Sequence, residues 1–178
     1  MSDAGLLFTD RVAALRDAFD RSFAEARAPA PPASEDLLAV RIGAEPYALR
    51  LSEIAGLFAE RRITPLPGST PALLGIAGFR GTIVPVWDLA VLLGHEAEAV
   101  RWLAMAAAEP VAFALAAVDG HLRIALDAIV ASTAGDGPQP HVRHFARLPG
   151  PMRPIVHLPS VLEAVRRLVA TNLGPGED

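Results

Sequence analysis

The stretch that determines the fold covers residues 63–94 and reads ITPLPGSTPALLGIAGFRGTIVPVWDLAVLLG. It predicts a turn rich in proline and glycine, a short apolar segment, and then an apolar strand over residues 82–87. Asp88 is predicted to open a short helix that ends at the last glycine of the stretch. Arg80 is a single charged side chain between two glycines and two apolar runs. This arrangement is poor for an active site and typical of a docking surface.

Composition restricts the class of protein. The chain has 178 residues, of which 52% are hydrophobic, no cysteine, and a formal net charge of -4. This length is enough for one domain with a hydrophobic core plus an appendage. The lack of cysteine excludes disulfides, a thiolate zinc site and a cysteine nucleophile. Without a dense basic cluster, nucleic-acid binding is disfavoured. We expect a cytoplasmic protein without direct membrane insertion, because no apolar run approaches the ~20 residues of a span and no secretory signal is evident.

The first 34 residues are predicted to form an appendage. Residues 9–27 predict an amphipathic helix, and residues 28–34 (APAPPAS) predict a stiff polyproline linker. We expect the helix to pack on its own domain, to bind a partner groove, or to pair with a second copy of the chain. The main domain is then expected over residues 35–173, followed by a frayed tail over residues 174–178. The apolar stripe of the helix comprises Phe8, Val12, Leu15, Phe19 and Phe23.

After residue 37 the apolar period changes from that of a helix to that of a strand. Residues 38–42 and 47–51 are predicted to pair as one hairpin, and residues 102–107 and 111–118 as another. Asp119-Gly120 predicts either a tight hairpin turn or a kink in a continuing segment. Many short strands with frequent turns and few helices are typical of small barrels, not of an alternating parallel-sheet fold.

Three further segments have local predictions. Residues 71–76 are expected to form one helical turn, and residues 121–130 are ambiguous between strand and helix. Pro85 is expected to place its strand at a sheet edge or beside a bulge, because proline cannot donate to a strand ladder. Residues 160–163 (SVLE) predict a capping box that starts a short C-terminal helix.

Catalytic and ligand-binding motifs are absent from the sequence. Residues 75–81 are rich in glycine but lack the lysine and the following helix of a phosphate-binding loop, and no Gly-x-Ser-x-Gly motif is present. His141 and His144 lie three residues apart, but a metal would need a third ligand in a fixed geometry. We interpret them as surface histidines and expect no metal and no cofactor. The sequence therefore predicts a protein that is not an enzyme.

Arg80 has two interpretations of equal weight. In the structural one, it pairs with Asp88 or caps carbonyl groups at the start of a strand. In the functional one, its guanidinium is presented beside Phe79 to a protein partner, since arginine and aromatic residues are enriched at interface hot spots.

Residues 63–94 resemble the signature region of the CheW-like domain family, whose pattern there is roughly T-x-L-P followed by G-x-x-N-L-R-G-x-x-x-P-V-x-D-L-R. The resemblance extends over about residues 37–168. The residues that match the pattern are Thr64, Leu66, Pro67, Gly75, Arg80, Gly81, Pro85, Val86, Asp88 and Leu89.

The resemblance implies a mainly β fold of two SH3-like β-barrel subdomains packed side by side. It also implies a protein without catalytic activity or cofactor, which couples the cytoplasmic tip of a chemoreceptor (a methyl-accepting chemotaxis protein) to a CheA-type histidine kinase. The groove between the barrels would hold the receptor's helical hairpin, and the surface of one barrel would dock the kinase. The implied partner-binding residues are Ile54, Gly75, Phe79, Arg80, Val86 and Asp88.

The sequence departs from the family pattern at four positions. Gly78 and Phe79 replace the usual asparagine and leucine, Ala90 replaces an arginine, and His121 stands where an apolar residue is usual. Together with the predicted N-terminal helix, these departures support an alternative. The protein would then be a divergent accessory CheW-like scaffold that binds only some of these partners, or that self-associates through its helix.

Overall fold

The computed structural model describes residues 33–67, 70–132 and 139–172. The predicted N-terminal helix with Val12, Leu15, Phe19 and Phe23 lies outside these ranges, as do the predicted tail and most of the linker. The described residues form strands β1 (Ser34–Ile42), β2 (Glu45–Arg50), β3 (Ile54–Ala59), β4 (Leu73–Phe79), β5 (Thr82–Asp88), β6 (Trp102–Ala106), β7 (Ala112–Leu115), β8 (Ala117–Ala125), β9 (Ile129–Ala131), β10 (Val142–Ala146) and β11 (Arg153–Val156). They also form helices α1 (Leu89–Leu92) and α2 (Leu158–Asn172), and two 3₁₀ turns, Leu51–Glu53 and Leu126–Ala128.

The first sheet has six strands in the order β8-β1-β2-β11-β10-β9. The hairpin of β1 and β2 confirms the first predicted pair, with Leu38 opposite Leu49 and Val40 opposite Tyr47. Strand β8 continues through Gly120, whose φ is 145°. Its pairing with β1 shifts register there, so the kink predicted as one alternative for Asp119-Gly120 is correct. The ambiguous residues 121–130 form the end of this strand, a 3₁₀ turn and the start of β9.

The second sheet has five strands in the order β3-β6-β7-β5-β4. The antiparallel pair of β6 and β7 confirms the second predicted hairpin. The helical turn expected at residues 71–76 is wrong, because most of that segment belongs to β4 and pairs with β5. Pro85 does not lie on an edge strand, since β5 is flanked by β4 and β7. The predicted alternative, a bulge beside Pro85, is confirmed by the register shift between Leu73 and Gly75, opposite the two residues that follow Pro85. Pro85 is tolerated because the ladder to β7 begins only at Val86.

One large apolar cluster joins the two sheets. Tyr47 and Leu49 from the first sheet pack in the same cluster as Trp87 and Phe113 from the second, and each is at most 2% exposed. A smaller cluster lies within the second sheet around Phe79, and a third lies within the first sheet. The described part of the chain is therefore mainly β, with two sheets that share a core.

Helix α2 covers the shared core with Leu158, Val161, Leu162 and Val165. The predicted capping box is wrong, because the helix begins two residues before Ser160. Neither helix of the described ranges has the length and hydropathy needed to span a bilayer.

Gly75 is the point where two backbone segments make their closest approach. The residues before β4 fold back so that Thr64 exchanges two hydrogen bonds with Ile76, of 2.8 and 2.9 Å between nitrogen and oxygen. A Cβ atom placed on Gly75 would lie 2.2 Å from the carbonyl oxygen of Thr64, and the φ of this glycine is 141°. Only glycine fits this position.

We expect Gly75→Ala to lower the free energy of unfolding by about 2–4 kcal/mol, because the methyl group adds both strain and a steric overlap. Gly78→Ala on the same strand is the matched control. A Cβ atom there meets nothing within 4 Å, so its effect should stay within about 0.5 kcal/mol. Urea unfolding followed by tryptophan fluorescence measures both variants. Equal stability of the two would contradict the close approach.

Candidate partner-binding surface

Arg80 and Gly81 form the two-residue turn between β4 and β5. Their φ angles are 48° and 86°, so both lie in the left-handed region that two-residue hairpin turns of type I′ require. Glycine adopts this conformation freely, whereas an arginine is strained in it. This turn conformation places Arg80 at the tip of the hairpin, where the residue is exposed.

Arg80 makes no ion pair with another residue in the described ranges. The predicted pairing with Asp88 is wrong, because the Asp88 carboxylate is turned inward and only 3% of the residue is exposed. Asp88 instead caps α1, accepting hydrogen bonds from the N–H groups of Ala90 and Val91 at 2.9 and 3.3 Å. Burial raises the pKa of the Asp88 carboxyl, and these two hydrogen bonds oppose the rise without cancelling it.

An apolar groove of about 440 Å³ lies beside Arg80. One wall is the first part of β3, and the other is the tip of the hairpin of β4 and β5. Among the described residues that line it, Arg80 alone is charged, so the groove is apolar with a cation on its rim. The lining residues are Ala55, Gly56, Leu57, Phe58, Phe79, Arg80, Thr82, Val84, Met105 and Pro110.

Two phenylalanines form the packed base of this groove. The rings of Phe58 and Phe79 meet edge to face, with centroids 4.8 Å apart. The guanidinium carbon of Arg61 lies 5.4 Å from the centroid of Phe58 and 5.9 Å from that of Phe79. These distances allow cation–π attraction to both rings. A second cation therefore lies near the groove in addition to Arg80.

The structure brings together some of the six predicted binding residues and separates others. Phe79 and Arg80 line the same groove, and half-buried Ile54 begins β3 next to the groove wall. Val86 is fully buried, as is Gly75 beneath Thr64. Val86, Gly75 and the buried Asp88 can influence binding only through the positions of their neighbours.

Residues that the sequence did not single out complete the surface. Phe58 and Met105 line the groove, and Ile83 on β5 is 70% exposed opposite Gly78. Phe58 was missed because β3 was not predicted as a strand. Ile83 could have been found, since an exposed isoleucine follows from strict alternation with the buried Val84.

The histidines lie elsewhere, and His141 and His144, which are predicted to be surface residues, are only partly exposed. His141, His144 and His157 are half-buried where β10 and β11 meet α2. No group of three or more histidine or acidic side chains in the described ranges is arranged to hold a metal ion. His121, in contrast, is exposed on β8, with its Nε2 2.9 Å from Asp36.

The fold and this surface define a β-rich module suited to binding other proteins, with a strained arginine beside an apolar groove. The chain belongs to the CheW-like domain family, because the family's model matches residues 36–166. No curated protein matches the chain by sequence. Among solved structures, the fold is similar to the crystal structure of the scaffolding protein TtCheW from Thermoanaerobacter tengcongensis. The TM-score is 0.63 and the identity 18%, over 70% of this chain and 89% of that chain. At this identity the likeness shows the fold alone.

The strain at Arg80 predicts a stabilising substitution. Arg80→Gly should raise the free energy of unfolding by about 0.5–1 kcal/mol, since relief of the left-handed conformation outweighs the entropy cost of glycine. Arg80→Ala keeps the strain and should change stability by less than about 0.5 kcal/mol. Urea unfolding of both variants beside the unchanged chain tests the turn geometry, and identical stabilities for the alanine and glycine variants would contradict it.

Proposed function

We propose that this protein is a non-enzymatic adaptor that couples a chemoreceptor to a CheA-type histidine kinase in a bacterial chemosensory complex. The proposal rests on membership of the CheW-like family together with one observation, the exposed and strained Arg80 beside an apolar groove. Backbone strain of this kind is concentrated at binding and catalytic sites, which supports a functional role for the exposed Arg80 side chain.

The chemistry of the groove supports a helical partner. Its apolar lining suits the apolar face of an amphipathic helix, and Arg80 and Arg61 favour acidic residues beside that face. The cytoplasmic tip of a methyl-accepting chemotaxis protein, which is a helical hairpin, is the partner we assign to this side of the protein. The kinase would dock on another surface of the same domain.

The connections between strands support two SH3-like barrels, one from each sheet. In the first sheet the two edge strands, β8 and β9, follow each other in the chain and are joined by the turn Leu126–Ala128. In the second sheet the edge strands, β3 and β4, are also consecutive. The connection is short in the first sheet and runs over residues 60–72 in the second. Edge strands that follow each other in the chain favour closure of a twisted sheet. We assign this double barrel to a domain over residues 35–173, in a protein that acts in the cytoplasm.

Reversing the charge of Arg80 tests the adaptor function. We expect Arg80→Glu to weaken binding to a receptor cytoplasmic fragment at least about tenfold, because an interface arginine is replaced by a repelling charge. Receptor-dependent control of kinase activity should fall with it in a reconstituted array. Arg147→Glu is the matched control, since Arg147 is an exposed arginine on the first sheet side with no ion pair to a described residue.

Circular dichroism should show that both charge-reversal variants remain folded. Normal receptor binding and kinase control by the Arg80 variant would count against this proposal, and so would equal losses in the two variants.

A second candidate function is a divergent accessory scaffold that binds fewer partners or self-associates through the predicted helix. It is favoured by the segment that precedes the family match at residue 36, and by Ala90, which is buried where the family pattern has an arginine. Gly78 likewise leaves an open space where the pattern has an asparagine.

Removal of residues 1–32 separates the two functions. An adaptor that uses only the CheW-like domain should keep its receptor and kinase affinities and its molar mass in solution. An accessory scaffold should lose self-association or one partner while the truncated chain stays folded. Light scattering after size exclusion and pull-down with kinase and receptor fragments measure these outcomes.

A further inference from the structure

Three histidines meet at the start of α2. His141 lies just before β10, and His144 lies within it. His157 follows β11 and immediately precedes the helix. The backbone N–H of His157 donates to the carbonyl oxygen of His141 at 2.8 Å. Ser160, in the first turn of α2, contacts both His141 and His157. The junction therefore ties two strands and a helix together through polar contacts.

The hydrogen bonds determine the protonation state of His157. The backbone N–H of Ser160 is shared between the carbonyl oxygen of His157 at 3.1 Å and its Nδ1 at 3.2 Å, so this ring nitrogen carries a lone pair. His157 is therefore neutral, with its proton on Nε2, and it serves as the N-cap of α2.

His141 has the opposite arrangement. The hydroxyl of Ser160 donates its single proton to the carbonyl oxygen of His157 at 2.8 Å. The contact of 3.0 Å between that hydroxyl and the Nδ1 of His141 must then be a donation from the ring. A proton added to His141 would leave this bond intact. A proton added to the Nδ1 of His157 would remove the side-chain half of the shared Ser160 bond and leave only the backbone half.

The charges around the junction oppose protonation. Burial lowers the pKa of all three histidines. For His157, Arg143 on β10, Arg50 on β2 and the neighbouring His144 add to this effect, and Glu163 on α2 opposes it. Arg167 on α2 acts on His141 in the same sense as the burial, and Glu35 on β1 acts on His144 in the opposite sense.

Glu53 supplies a second cap that responds differently to pH. Its Oε2 accepts a hydrogen bond from the N–H of Leu158 at 2.9 Å. Burial raises the pKa of the Glu53 carboxyl, with Glu35 adding to the rise and the Leu158 bond and Arg50 opposing it. Protonation of Glu53 therefore favours the structure in which the first turn of α2 is in place, which we call the closed form. A neutral carboxyl keeps a carbonyl oxygen that can accept the same bond.

We propose that the junction of β10, β11 and α2 is a proton-operated latch, in which protonation of His157 releases the first turn of α2 while both sheets stay folded. The imidazolium would lose its bond from Ser160 and would place a positive charge at the positive end of the helix dipole. The released turn contains Leu158 and Pro159, which line a small apolar groove beside Ser52 and Ala107. Acidification thus loosens one wall of this groove.

The direction of the pH dependence follows from the lowered pKa of His157. The closed form has its full free-energy advantage over the open form above the ordinary histidine pKa of 6.5. It loses this advantage as the pH falls through the lower pKa that His157 has in the closed form. His141, whose Nδ1 contacts Ser160 in the same turn and whose pKa is also lowered, adds to the loss in the same direction. Glu53, whose pKa is raised by burial, counteracts the loss where its carboxyl takes up a proton.

Hydrogen–deuterium exchange of the full chain at pH 7.5 and 5.0, corrected for intrinsic rates, tests the latch. We expect the open population of the first turn of α2 to rise about fivefold or more at the lower pH, because the histidines are neutral in the closed form and charged in the open one. Peptides from β1, β6 and β7 should keep their protection. Unchanged protection of α2, or loss of protection throughout both sheets, would overturn the proposal.

His157→Asn provides the specific test, since asparagine accepts the Ser160 N–H bond without titrating. It should remove most of the pH dependence of α2 opening, whereas the control His121→Asn, on exposed β8, should leave it unchanged. NMR titration of the unaltered chain gives an independent readout, with the His157 midpoint expected below 6.5. A midpoint at or above the ordinary value, or full pH dependence in the His157 variant, would also overturn the latch.

Discussion

The antiparallel register of β4 and β5 is the constraint on which the binding surface depends. Phe79 faces Thr82 across the turn, so only two residues remain to connect the strands. Because side chains alternate along a strand, this register turns Phe79 into the second core cluster and leaves Arg80 at the exposed tip. A slip by one residue would bury the arginine and expose the phenylalanine. The same register carries β5 to Asp88, which ends the strand and caps α1.

The close contact between Gly75 and Thr64 stabilises this register from the outer side. The two hydrogen bonds between Thr64 and Ile76 give β4 a partner along part of its outer edge. They also leave less of that edge free to pair with another chain. The family motif thus has two kinds of residue. Gly75, Val86 and Asp88 fix the shape of the hairpin, whereas Arg80 is presented to the surroundings.

Sequence reasoning recovered the elements whose signals are local. The strand period over residues 38–42 and 47–51 predicted the first hairpin, and the apolar segments 102–107 and 111–118 predicted another. It failed where tertiary contacts override local preference. Strand β3 has a weak pattern and is held by its ladder to β6. One of the two caps of α2 comes from Glu53, more than a hundred residues away in the chain. The groove could not be predicted for the same reason, because Phe58 and Phe79 meet only through folding.

The hydrogen bond between Glu53 and Leu158 has a mechanical consequence. Glu53 lies in the three-residue turn Leu51–Glu53, which is the chain's passage from β2 in one sheet to β3 in the other. A crossing this short would be a natural hinge. Its carboxylate is instead anchored to the end of a helix that packs on the core shared by both sheets. Rotation of one sheet relative to the other therefore has to break this hydrogen bond. A displacement of one sheet is then passed on to the other sheet through α2.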